Sequence, residues 1–120
     1  MAELMETIAE TEEPQVATVK GGERAFVPFW VVKAGDALYA RSHLGKAGRW
    51  YQEATRAGST QLRVGDRLVD VDVEPVGDEY RAEIDAAYRM KYGHGPTEQF
   101  VAPMLEDDVV ATTVRLKPRG

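Results

Sequence analysis

The sequence predicts a small antiparallel β-barrel with two inserted helices, mainly β in content, and three observations predict it. Six runs rich in β-branched and aromatic residues are joined mainly by tight turn chemistry, the pattern of hairpins rather than of βαβ units. Only two segments carry a full helical repeat of apolar residues. Six strands in a chain of 120 residues would also leave two exposed edges in a flat sheet, and closure removes them. An open α+β sheet is the competing arrangement.

Residues 1–13 place Leu4, Met5 and Ile8 at helical spacing, but five glutamates crowd the segment and Pro14 ends it. It reads as a loose helical turn or a flexible acidic tail ahead of one domain at 14–120. Strands at 15–19 and 24–33 flank Lys20-Gly21-Gly22-Glu23, a hairpin turn. Gly35-Asp36 then turns the chain into ALYARS, where Leu38 and Ala40 face one side and Tyr39 and Arg41 the other. A helix over 49–57 follows, with Arg49 and Glu53 as an i,i+4 pair and Gly58 as its stop.

STQLRV and RLVDVDVEPV form a further hairpin about Gly65-Asp66. Val69, Val71 and Val73 share its buried face, and Asp70, Asp72 and Glu74 its wet one. Carboxylates at period two are the expected outer face of a half-buried sheet, so they are not read as acid–base chemistry. Residues 78–92 make the longest helix, with Tyr80, Ile84, Ala87 and Tyr88 at helical spacing, Asp85/Arg89 as an i,i+4 pair and Gly93 as the stop. Residues 93–108 read as a loop in which FVAPML can lie over the core, and 109–117 as the last strand.

Composition excludes several functions. A formal net charge of -5 argues against nucleic acid, because a polyanion needs a broad basic face. The absence of cysteine removes disulfides, thiolate catalysis and Cys-ligated metals. His43 and His94 stand far apart without metal-ligand spacing, so no metal is expected. No apolar run approaches the roughly 20 residues of a membrane span, and the acidic start is unlike a secretory signal. A soluble cytoplasmic protein is the expectation.

Against this acidic background RSHLGKAGRWYQ, residues 41–52, is a basic loop that leaves a strand end and enters a helix. Such a loop exposes backbone N–H groups beside the positive end of a helix dipole, an anion cradle. Arg41, Ser42, Lys46 and Arg49 can bond a phosphate, and Trp50 or Tyr51 can cover a flat ring. The same cations can equally be solvated, with Trp50 a core anchor. Trp30, Tyr88 and Tyr92 either fill the core or line a substrate pocket, and Tyr51 and His43 are the candidate catalytic groups.

PFWVVKAGDALYARS, GRWYQEA, the run Asp85-Ala86-Ala87-Tyr88-Arg89-Met90-Lys91-Tyr92 and VAPML...ATTVRL resemble a small bacterial family of unknown function grouped with the FMN-binding split barrels. The resemblance implies a split β-barrel of about six strands, usually dimeric, related to pyridoxamine-phosphate-oxidase-like flavoproteins and deazaflavin-dependent nitroreductases. It implies FMN or a deazaflavin at a dimer interface, with Arg41, Ser42, Lys46, Arg49 and Trp50 as cofactor residues. The function expected is that of a small-molecule reductase; the alternative is a cofactor-free small-molecule-binding protein or isomerase-like enzyme in the same cleft.

Overall fold

The computed structural model describes residues 2–119. Seven antiparallel strands form one sheet: β1 (Gln15–Lys20), β2 (Glu23–Pro28), β3 (Val31–Ala34), β4 (Ala37–Ala40), β5 (Ser59–Val64), β6 (Arg67–Pro75) and β7 (Val114–Pro118). Five helices accompany them: α1 (Ala2–Glu10), α2 (Arg49–Ala57), α3 (Arg81–Tyr92), α4 (Val101–Met104) and α5 (Asp107–Val110). Short 3-10 turns occupy Gly45–Ala47 and Gly95–Phe100.

The strand order β2-β1-β5-β6-β7-β4-β3 forces the sheet to roll. Its two edge strands, β2 and β3, are consecutive in the chain and separated only by Phe29 and Trp30. Three Cα steps keep Pro28 and Val31 within about 11 Å, whereas six strand spacings in a flat sheet would hold the edges about 29 Å apart. The sheet therefore curls until its edges meet at that corner without pairing, which is a split barrel. The class is the expected one, with seven strands instead of about six: the run 24–33 breaks after Pro28, which cannot donate to a ladder.

The hairpins hold their registers through turn chemistry. In β1–β2, Lys20 pairs with Glu23 across Gly21 and Gly22, both at positive φ (60° and 81°), the type I′ pattern that matches strand twist. β5 and β6 pair Val64 with Arg67 across Gly65-Asp66, leaving Val69, Val71 and Val73 buried and the carboxylates outside.

Two apolar clusters result from the alternation of β3 and β4. Val31, Leu38 and Ala40 face the barrel interior with Val16, Leu62, Val71, Val114 and Leu116. α1 contributes Leu4 and Ile8 to this cluster, and α2 contributes Trp50 and Ala54. Val32 and Tyr39 face outward, where Ile84, Tyr88 and Tyr92 of α3 and Val101 and Met104 of α4 cover them.

Several segments differ from expectation for identifiable reasons. Within 1–13, expected as a loose helical turn or a flexible acidic tail, the chain forms the docked helix α1, which buries Leu4 and Ile8 while its glutamates stay on the wet side. Met1 lies outside the described residues. The strand expected over 109–117 begins only at Val114, because Val109 and Val110 belong to α5 and the hydroxyls of Thr112 and Thr113 bond the Val109 and Val110 carbonyls. The loop at 93–108 contains α4, which lies over the outer cluster. No helix among the described residues is long and apolar enough to cross a membrane.

Candidate functional site

A cavity of about 800 Å³ opens between the C-terminal end of β1, the β2–β3 corner, the loop after β4 and the segment around α4. That volume is within the range of small-molecule and cofactor sites. Arg41, Ser42, His43, Arg49, Trp50 and Trp30 all border it. The structure thus gathers six of the sequence-predicted residues around one space.

Arg41 follows Tyr39 on the outward face of β4, which delivers its guanidinium beneath α3 and α4. It is 1% exposed. Nε donates to Thr113 Oγ1 at 2.9 Å, and Nη1 donates to Asp85 Oδ1 at 2.7 Å and to the Met104 carbonyl at 3.0 Å. Nη2 is buried with no hydrogen-bond partner among the described residues. A buried unbonded donor is costly, and more so on a charged group.

Ser42 is likewise buried, its N–H donating to Thr112 Oγ1 at 2.9 Å. Its carbonyl accepts the Gly45 N–H, and the 3-10 turn returns the chain to Gly48. A Cβ at Gly48 would lie 2.1 Å from Ser42 Oγ, so only glycine lets the loop close this tightly before α2 starts. Trp50, 7% exposed, then meets Phe29 edge to face at 5.2 Å. Trp50 is therefore both a core anchor and a cavity wall.

Arg49 donates from Nη1 to the Val19 carbonyl at 2.9 Å, and Glu53 accepts from Thr18 Oγ1 and the Val19 N–H. The i,i+4 pair expected within α2 is replaced by three hydrogen bonds to the end of β1, which offers fixed backbone groups and the Thr18 hydroxyl. Asp85 is similarly committed to Arg41 and to Arg81, not to Arg89.

Lys46 and Tyr51 do not border the cavity. Lys46 is exposed, and Tyr51 packs against the barrel cluster. His43 is exposed at the rim. Tyr88 and Tyr92 are fully buried behind the cavity wall. Tyr92 stacks on Trp30 at 4.0 Å and 4°, and donates to the Glu12 carbonyl at 2.6 Å. Burial pushes both phenols up from their ordinary value, so they stay neutral donors at physiological pH. Their role is to back Trp30, which does reach the cavity.

Sequence reasoning missed Lys20 and Glu13 at the cavity, and the apolar rim of Val19, Leu44 and Phe100. These three are 46%, 63% and 55% exposed, three of the five large hydrophobic side chains left in water among the described residues. Scattered exposed apolar residues are ordinary; these three share the lining of one cavity. The missed signal is in the sequence, as an apolar residue at each of three loop or strand ends, but only the fold brings them together.

The profile of a family described as "Uncharacterized protein conserved in bacteria (DUF2255)" matches residues 4–116. The chain belongs to this family. No curated protein matches this DUF2255 member in sequence. Solved structures share its fold. A conserved hypothetical protein of Mycobacterium tuberculosis is 14% identical with a TM-score of 0.59, covering 99% of this chain and 80% of that one. An FAD-binding protein of Mesorhizobium loti is 17% identical with a TM-score of 0.53, covering 97% and 86%. A protein described as F420 reductase is 16% identical with a TM-score of 0.50, covering 96% and 92%. At these identities the likeness is one of fold, the split barrel derived above.

Proposed function

We propose that this DUF2255 protein binds FMN or a deazaflavin in the 800 Å³ cavity and acts as a small-molecule reductase, as a homodimer with the cavity mouth at the interface. One observation carries the reading: a protein of net charge -5 lines this cavity with Arg41, Arg49 and Lys20 against the single carboxylate of Glu13. Arg41 Nη2 supports it further, because a buried guanidinium nitrogen without a partner suits an anionic oxygen.

The residues fit a phosphorylated aromatic ligand. Arg41, Ser42 and Arg49 would hold the phosphate, and Trp30 and Trp50 would flank the ring. Tyr92 occupies one face of Trp30, so a ligand ring stacking on the indole would use the other. When bound, the flavin supplies hydride transfer, and the protein contributes binding and orientation. His43 at the rim would be the imidazole within reach of a substrate, and Lys46 is left to long-range attraction. The FAD-binding and F420 relatives support the reading as shared fold.

The apolar rim favours one alternative, a cofactor-free protein that takes an apolar small molecule in the same cavity. Titration of purified protein with FMN, riboflavin and a deazaflavin, read by fluorescence quenching, separates the two. Binding is expected at micromolar affinity or better, about 8 kcal/mol. Absence of binding at high micromolar concentration overturns the flavin reading and leaves the alternative.

A further inference from the structure

Asp85 does not border the cavity, yet one wall of the cavity and its deepest cation both hang on it. Its carboxylate is 13% exposed. Oδ1 accepts from Arg41 Nη1 at 2.7 Å, and Oδ2 lies 3.7 Å from Arg81 Nε. The two guanidiniums then bond consecutive carbonyls: Arg41 Nη1 that of Met104 at 3.0 Å, and Arg81 Nη2 that of Leu105 at 2.9 Å. Those carbonyls end the segment whose Phe100, Pro103 and Met104 form the cavity wall. Arg81 also reaches Asp107 at 2.8 Å, which ties the start of α5 into the same bracket.

We propose that Asp85 is a positioning residue that holds Arg41 with Nη2 left for the anionic group of a ligand and fixes the α4 wall through Arg41 and Arg81. The inference rests on the flavin reading only for its choice of probe. The bracket uses up Nε and Nη1 on Thr113, Asp85 and Met104, so Nη2 is the part of the guanidinium still available. A flexible arginine would face any direction; this one is held on three sides.

Charge alone and positioning act in opposite directions, which makes the role testable. Asp85→Asn removes a negative charge beside Arg41. If Asp85 merely neutralised Arg41, the variant would bind an anion more tightly; if Asp85 positions Arg41, it binds more weakly. FMN and riboflavin are titrated against wild type and Asp85→Asn, and amide hydrogen exchange is measured on both proteins without ligand. The expected result is an FMN affinity about tenfold lower with riboflavin affinity unchanged, and faster exchange at 101–106 while β5 and β6 keep their protection. An FMN affinity that is unchanged or higher, or an equal loss for both ligands, overturns the positioning of Arg41. If the wild type binds neither flavin, the reading of function has failed separately, and exchange alone decides: unchanged rates at 101–106 overturn the bracket. Should Asp85→Asn not fold, Arg81→Gln, which leaves the Asp85–Arg41 pair intact, is expected to speed exchange near Leu105, and unchanged rates there overturn the bracket as well.

Discussion

At Arg41 the sequence signal and the structural role divide. A cation at a strand end before a glycine loop reads as an anion ligand, and the side chain does border the cavity, but it is also a buried ion pair with Asp85 at 2.7 Å. Removing one partner of such a pair leaves an uncompensated buried charge, costing about 3 to 5 kcal/mol. Arg41→Ala is therefore expected to lower stability by that order and to weaken any phosphate-bearing ligand. Lys46→Ala, at an exposed position outside the cavity, should change stability by less than about 0.5 kcal/mol. Urea denaturation of the two variants checks this; equal stability would mean that the Arg41–Asp85 pair is not maintained in solution.

At the scale of elements, α1 shows how an acidic composition can hide a core helix. Its glutamates lie on the wet side, while Leu4 and Ile8, 6% and 0% exposed, join Val31 and Leu38 of β3 and β4 in the barrel interior. Truncating a fully buried isoleucine to alanine removes transfer free energy and leaves a cavity, together costing about 2 to 5 kcal/mol. Ile8→Ala is expected to destabilise by that amount in chemical denaturation, and Glu10→Ala to do almost nothing. A neutral Ile8→Ala would mean that α1 does not dock. The β5–β6 hairpin behaves otherwise: its alternation of valines and carboxylates is legible residue by residue, because period two and one wet face leave a single register.

At the scale of the whole molecule, stability should depend on alkaline pH through α3. Burial lowers the Lys91 ammonium to about 8, Glu12 acting the other way, while Nζ donates to the Val31 carbonyl at 2.5 Å. A lysine depressed in the folded state destabilises it below about pH 8, and that penalty fades as pH rises toward the unfolded value near 10.5. Tyr88 and Tyr92, raised by burial, stabilise the fold below about pH 10, and that contribution is lost as the unfolded phenols ionise above it. Stability is expected to rise between pH 8 and 10 and to fall beyond, and Lys91→Met should abolish the rise. Urea midpoints across pH 7 to 11 measure it; a wild-type curve that falls from pH 8 contradicts the burial of Lys91. The rim of Val19, Leu44 and Phe100 makes the assembly testable too. Light scattering is expected to give twice 13.3 kDa, and Phe100→Ser to shift the mass toward the monomer. A wild-type monomer at tens of micromolar removes the interface from the functional proposal.

What the sequence by itself determined is what depends on neighbours along the chain. Hairpin turns at Gly21-Gly22 and Gly65-Asp66, the alternating β6, α2 with its Gly58 stop and the body of α3 all follow from local periodicity and turn chemistry, and together they decide the class of fold. The basic loop at 41–49 was legible as a candidate site for the same reason. Only the tertiary structure decided that Pro28 breaks one long strand into the two edges of the split, that Val109 and Val110 turn into α5, and that Thr112 and Thr113 reach across to Arg41 and Ser42. It alone brought Val19, Leu44 and Phe100 to one mouth, turned Asp85 from Arg89 to Arg81 on the preceding turn and added the buried pair with Arg41. For the contacts to Arg41 and Leu105 the physical reason is separation: they join residues 44 and 24 positions apart, and a buried charge takes the partners that desolvation and geometry allow, which local spacing does not reveal.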